Sequence, residues 1–569
     1  MAADVEKLLE RNSQLETEAA PWKTQWQLIS EYVGQRRADF THFSEPGDFL
    51  NSEIWSDVAP LSLDTASSAL VGLVWPDAYS FELVPFGEFK DDEEIKKWLA
   101  ESTDELQAAF DDPEAGMALA IDEGMKDFLE FGTPAIHLEE GKNSDFRFDA
   151  WNVSQFRIDE SDDGYVDTFY KCWKWTVRQM VMKFGIENVS EETRRAYNAR
   201  RYSEKIKVLH VIAPREVDPQ KGRGPQNMPF MSVYIEVDKK KVVKESGFHE
   251  LPTFAFRFSK KIGEKYGRSP SFRALPTIME LNALWELVTI GAEKNYDPPL
   301  AVYDDGTFGG GTIDTSSGAI NVINVTGKLS ANRSPIEPLF TVGRFDDVAV
   351  LIERLENTVK DHYMIDRLLD LNNEKEMTAR EALIRQAIRQ STLRSPVSRI
   401  NAELLNRMIP RGFNMLLRKG RFGYAEGSPE LVAWQAMNPN KEPKLIPQRI
   451  VEAQGQQKRV YQIRYLTPAA REQEARIAEG IMNTLQAAGE MAAHDRTVLT
   501  EINIKRTIRR LGEIWSFPED CWNTDEEIKA INEMAAQEET QNIELSKAQQ
   551  VATIAKDAAQ ARGQLQPAI

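Results

Sequence analysis

Cysteine is nearly absent. Cys172 and Cys521 are the only two in 569 residues, too few for a disulfide framework and in no metal-ligand spacing. Both read as plain thiols of a reducing compartment. Histidine is almost as scarce: His42, His137, His210, His249, His362 and His494 are scattered, with no H-E-x-x-H or C-x-x-C companion. No zinc site can be assembled from them, and each reads as a structural or surface residue. Long apolar runs are also missing. SALVGLVW, among the longest, falls far short of the roughly 20 residues that span a bilayer. The opening stretch MAADVEKLLERNSQLETEA is a charged helix without a signal core. A soluble chain made in the cytoplasm is expected. Basic charge is in deficit, with 70 Lys and Arg against 89 Asp and Glu, a net −19. Proteins that grip nucleic acid by neutralising phosphates carry the opposite balance, so any DNA contact must be local and loose.

The motifs of catalysis are missing too. Gly141-Lys142 and Gly327-Lys328 are followed by Asn and Leu, which rules out a P-loop, and no G-x-S-x-G elbow exists. Gly309-Gly310-Gly311 has no Lys-bearing helix after it and reads as a loop tip rather than a phosphate cradle. Asp162-Asp163 lies in a turn. Asp346-Asp347 opens a helix, where acidic residues suit the dipole. No catalytic residue, metal or cofactor is assigned, and the chain does not read as an enzyme.

What is present is a sizeable core. Hydrophobic residues make up 41% and Trp numbers 12, which excludes global disorder. The length allows three or four domains, or one large subunit of unusual shape. Trp22, Trp26, Ile29 and Val33 recur at helical spacing over residues 1–35, with Pro21 placed at a helix start. DTASSALVGLVW (64–75) is a small-residue helix stopped by Pro76, and 92–131 is helical. Alternation then takes over from about 133 to 260, a largely antiparallel region with a helical interlude at 176–201. A long helix follows, its Leu275, Ile278, Leu281, Leu284, Leu287 and Ile290 in strict threes, so the apolar stripe wraps. Asp297-Pro298-Pro299 ends it. After a Gly-rich β segment, a second long helix, FDDVAVLIERLENTVKDHYMIDRLLD, returns. A polar break, Asn372 to Glu376, precedes the Thr378…Glu381 capping box of another helix, which runs to about Gly420 with a kink at Ser395-Pro396. Residues 421–470 read as irregular apart from a strand-like RVYQIRYLTP. Beyond Pro468 the chain is mostly helical, and its last long helix is so lightly apolar that it needs neighbours. The fold class is α+β, predominantly helical.

This order, together with YGRSPSFRALPTIMELNAL (266–284), Pro298-Pro299, EMTAREALIRQ (376–386), DTASSALVGLVWP (64–76) and FLEFGTPAIHLEE (128–140), resembles the portal, or head-to-tail connecting, proteins of short-tailed, T7-like bacteriophages. The resemblance covers about residues 20–480. It implies a portal fold of wing, stem, clip and crown, assembled as a ring, usually dodecameric, at one capsid vertex around a channel for double-stranded DNA. Mapped here, it places N-terminal helices and wing at 1–271, stem helices at 272–297 and 346–369, the clip at 298–345, and a channel loop at 370–377. The kinked helix and wing return take 378–480, and the crown 481–569. Arg367, Asn372, Asn373 and Lys375 would face the DNA, interleaved with Asp370, Glu374 and Glu376. Such a mixed, net-negative lining lets DNA slide rather than dock. Phe308, Gly310, Lys328 and Arg333 would lie in the clip that docks the terminase large subunit and later the tail adaptor or tube proteins. Major capsid and scaffolding proteins are further implied partners, and the implied location is the virion. Two other classes stay open: a scaffolding or tail-adaptor protein without a channel, and a metal-dependent hydrolase or nuclease.

Overall fold

The computed structural model describes residues 4–45, 47–48, 54–75, 81–90, 92–217, 224–304, 312–324, 334, 336–339, 346–369, 395–438, 442–456, 458–466, 468–492 and 502–514. The chain divides into two compact units, 1–83 with 102–467, and 84–101 with 468–569.

The first unit opens with α1 (Val5–Tyr32). Its start is set by Asp4, whose carboxylate accepts the Lys7 N–H at 3.4 Å, satisfying an orphan donor. Contrary to the sequence reading, Pro21 does not begin a helix; α1 runs straight through it. The hydrogen bond that proline removes is outweighed by packing on both sides. Before Pro21, Leu8 and Leu15 pack on a β-sheet. After it, the wholly buried Trp26 sits 5.5 Å from the Phe40 ring and 5.1 Å from that of Tyr266. α2 (Val58–Val74) starts earlier than its small-residue core suggests. Its buried Ala59, Ser62, Ala66 and Ser67 permit close helix packing. β1 (Phe81–Pro85) and α3 (Glu93–Phe110), each divided between the two units, and α4 (Met117–Glu130) follow. The expected single helical span 92–131 is thus two helices. Gly116, at φ +73°, takes the left-handed turn between them that glycine adopts without strain.

After β2 (Ala135–Glu139) and β3 (Arg147–Trp151) comes a five-stranded antiparallel sheet in sequential order: β4 (Phe156–Glu160), β5 (Val166–Thr176), β6 (Lys205–Pro214), β7 (Phe230–Glu236) and β8 (Lys241–Phe248). Between β5 and β6 stand α5 (Val177–Phe184) and α6 (Glu191–Asn198), each capped as its sequence dictates. Thr176 and Gln179 exchange hydrogen bonds at 2.9 and 3.3 Å, a reciprocal capping box, and Ser190 accepts from the Thr193 N–H at 3.2 Å. Alternation divides the sheet's side chains between two faces. Tyr170, Leu209, Val211, Val233 and Ile235 face α1. Val208, Tyr234 and Val243 meet Met180 and Phe184 of α5 on the other face. β9 (Thr253–Ala255) completes a second sheet, ordered β3-β2-β9.

The chain continues as α7 (Pro270–Tyr296), β10 (Leu300–Asp304), β11 (Ile320–Asn324), β12 (Ile336–Pro338), α8 (Asp346–His362) and α9 (Ile365–Leu369). Residues 395–400 are helical and pass into a π turn, Asn401–Leu405, and then α10 (Asn406–Arg418). The helix leading into Ser395-Pro396, where a kink is expected, lies outside the described residues; the π turn at Asn401–Leu405 is a further irregularity. The π turn carries Glu403 into the core. There its carboxylate accepts from the buried Arg257 at 2.7 Å, while Glu160 pairs with Arg257 and, at 2.6 Å, with Lys260. A buried guanidinium needs this many acceptors. The stretch 421–470 is more regular than its sequence suggests, holding α11 (Pro429–Met437), α12 (Gln448–Gly455) and β13 (Tyr461–Tyr465).

In the second unit, α13 (Pro468–Ala492) and α14 (Ile504–Ile514) share a small core of Ala478, Leu511 and Ile514, with Ile481 and Leu485 against it.

Candidate functional site

The excursion from α7 to α9 is rooted in the core and apolar at its far end. Among the 27 residues of α7, the buried ones, Pro270, Ser271, Ala274, Ile278, Leu281 and Asn282, all lie in the first half. Asn282 fixes that half by accepting the Trp55 N–H at 2.7 Å. The second half exposes Leu287 (64%) and Tyr296 (90%). α8 packs on α7 and shows the mirror pattern: Val350 is exposed near its start, while Val359 near its end and Tyr363 just beyond it are fully buried. The small sheet between them has β10 in the centre, parallel to β11 and antiparallel to β12. Ile313, Ile320 and Ile336 on this segment are exposed, an unusual density of apolar surface for a solitary chain. Gly318, at φ +71°, turns the chain into β11, and a Cβ there would stand 2.6 Å from the Asp297 carboxylate.

One expectation is corrected at the root. The span 346–369 is not one helix, because α8 ends at His362 and Met364 takes φ +58°, a conformation costing roughly 1 kcal/mol in a non-glycine residue. The break lets Tyr363 bury its ring and donate to Ser271 Oγ at 2.8 Å. Ser271 in turn donates to the Leu129 carbonyl at 2.7 Å. This chain ties α8, α7 and α4 together at the base of the excursion.

Of the residues assigned to the channel, Arg367 lies on α9. Asn372, Asn373 and Lys375, with the whole of the 370–377 loop and the Thr378…Glu381 capping box, lie outside the described residues. So do Phe308, Gly310, Lys328 and Arg333 of the expected clip, and Cys521. Cys172 is a free, half-buried thiol whose pKa burial pushes up, the state of an inert structural cysteine.

Two of the histidines read as scattered are brought together. His137 and His210 are buried, with ring centroids 6.2 Å apart. His210 stacks on Tyr234 at 3.9 Å and His137 on Trp151 at 4.6 Å. His137 Nδ1 shares a hydrogen bond with Thr253 at 2.7 Å, and His210 Nε2 with Ser232 at 2.9 Å. Burial lowers the pKa of both rings, against the opposing pull of Glu139 on His137. They form the floor of a cavity of about 940 Å³. Its signal in the sequence is the alternation Lys171, Trp173, Trp175 on β5, which puts three large side chains on one face. Nothing in the sequence said that β6, β7 and α5 would enclose that face. Among the described residues no cluster of His, Cys, Asp and Glu could hold a metal ion. No helix among them is long and apolar enough to cross a membrane.

The chain thus sends a helix out of its core, builds a small sheet with exposed apolar residues and returns by a second helix. Residues 5–522 match the family described as bacteriophage head to tail connecting protein, and the chain belongs to that family. It is 23% identical over 544 residues to the portal protein of Salmonella phage epsilon15, covering 94% of this chain and 91% of the relative. It is 24% identical over 428 residues to the probable portal protein of Bordetella phage BPP-1, covering 73% and 76%. A solved chain from the virion of a native gene transfer agent particle superposes with a TM-score of 0.32 at 10% identity, over 68% of this chain and 87% of its own. That likeness is too low to add to the assignment.

Proposed function

We propose that this chain is the portal protein of a short-tailed bacteriophage, forming a ring at one capsid vertex through which double-stranded DNA is packaged and ejected. The observation that carries the reading is the family match along 5–522, with relatives named as portal proteins over most of their own length. The structure supports it in two ways. The exposed Leu287 and Val350 on the outer halves of α7 and α8 suit a chain whose neighbours are further copies of itself. The net −19 charge suits a conduit that must not hold phosphates.

In this reading 272–297 and 346–369 form the stem. Residues 298–345 form the clip, which docks the terminase and then tail proteins, with Phe308, Gly310, Lys328 and Arg333 in that docking segment. The loop 370–377 lines the channel, with Arg367, Asn372, Asn373 and Lys375 toward DNA. Residues 481–569 form the crown, and the ring is a dodecamer. Packaging chemistry belongs to the motor. Negative-stain electron microscopy with sedimentation tests the reading: rings with a hole wide enough for duplex DNA are expected. Compact monomers that stay monomeric when mixed with the phage's capsid and scaffolding proteins would overturn it.

A further inference from the structure

The cavity floored by His137 and His210 has no part in that reading. Its chemistry follows from strand register. Lys171 of β5 faces His210 of β6, which faces Tyr234 of β7, which faces Lys244 of β8. These four residues form one row across the sheet, with Trp173 and Trp175 beside it on β5. The Lys171 ammonium lies 4.2 Å from the Trp151 ring centroid and 5.2 Å from that of Trp173. The Lys183 ammonium, brought in by α5, lies 5.1 Å from Trp175 and 5.3 Å from Tyr234. Aromatic faces hold cations in place without neutralising them. Among the described residues neither ammonium has a carboxylate or carbonyl within hydrogen-bonding or ion-pairing distance, although ion pairs are common elsewhere in the chain. The same holds for Lys142, Lys174 and Lys244, which also line the cavity. Burial lowers the Lys171 pKa to about 8, the mark of a cation held where water solvates it poorly.

We propose that this concavity is a docking site for an acidic peptide segment of another protein, whose carboxylates are taken by Lys171 and Lys183. Several observations select that ligand. A single nucleic-acid strand is held by stacking bases on free aromatic faces, but here those faces are occupied by lysines. A polyphosphate is best matched by guanidinium forks. The guanidinium in this cavity, Arg147, already leans on Glu139 at 4.0 Å and Asp149 at 3.7 Å. Those carboxylates and Glu140 can accept the backbone N–H groups of a peptide, donors that a phosphate chain lacks. The inference is independent of the portal reading.

The test is fluorescence anisotropy of the full chain with a fluorescein-labelled decaglutamate peptide, alongside labelled decalysine and decathymidylate. Saturable, salt-sensitive binding of decaglutamate is expected, with quenching of tryptophan fluorescence and no binding of decalysine. Lys171→Met and Lys183→Met should each weaken it roughly tenfold, as losing one charge-assisted hydrogen bond does. Lys244→Gln, exposed at the end of the same row, leaves both aromatic platforms intact and should weaken it by a smaller factor, which guards against a folding artefact at Lys171. Absence of saturable binding, or binding indifferent to all three substitutions, would overturn the proposal. Tighter binding of decathymidylate would overturn it in favour of a nucleic-acid site. A change in sedimentation of Lys183→Met without loss of peptide binding would make the cavity a contact between copies of this chain.

Discussion

Glu130 is the residue whose surroundings fit its chemistry least. It is fully buried, and neither carboxylate oxygen has a hydrogen-bond donor among the described residues. Arg37 stands 3.7 Å from it and 3.0 Å from the neighbouring Asp127 without the alignment of a hydrogen bond to the facing oxygens. Gly34 abuts the same carboxylate, leaving no room for a Cβ. Burial raises the Glu130 pKa well above the usual range and that of Asp127 to about 6. Both shifts are upward, so the folded state keeps protons that the unfolded chain has released. Stability is then greatest below the unfolded values near 4 and falls as pH rises through about 6 and beyond. Glu130→Gln removes the charge but keeps the shape. It should raise stability by about 1–3 kcal/mol at pH 8 and flatten the decline between pH 5 and 8, read from thermal melts across that range. A variant less stable than the parent at pH 8 would mean that Glu130 is ionised and paired with Arg37.

At the scale of elements, α7 shows how one helix serves two environments. Its strict threes make the apolar stripe wrap, and the structure shows why that is useful. Ile278 and Leu281 meet the core of this chain, while Leu287 and Ile290 are left at the surface. The double substitution Leu287→Asp and Ile290→Asp should leave the melting temperature of the isolated chain within about 2 °C, since exposed sites contribute little. It should greatly reduce self-association, measured by sedimentation velocity. A large loss of stability with unchanged association would place these residues in the chain's own core. The Tyr363–Met364 break was not legible in the sequence. Helical periodicity continues through it, and only the hydrogen bond to Ser271, distant in sequence, repays the left-handed residue.

For the whole molecule, the expected channel loop and crown are the parts to remove. Deleting 371–377 should leave rings intact while packaged DNA per particle drops, measured by DNA content of assembled heads. Loss of rings would show that the segment holds the assembly together instead. Cutting after residue 480 should still allow rings in electron micrographs. Their disappearance would make the C-terminal helices essential for assembly.

Much of this architecture was already set by local chemistry. The alternation in β5 to β8, the capping pair Thr176 and Gln179, and the Asp297-Pro298-Pro299 stop of α7 are short-range rules, and the structure follows them. The family resemblance was legible for the same reason: its stretches are runs of neighbouring residues. What only tertiary structure decided depends on partners far apart in sequence. Pro21 stays inside α1 because Trp26 finds Phe40 and Tyr266. The π turn forms where Glu403 reaches Arg257. Above all, His137, Lys171, Lys183, His210 and Tyr234 are unremarkable one at a time. They become a cationic cavity only when register aligns three strands and α5 closes over them, a pairing of distant segments that no local pattern records.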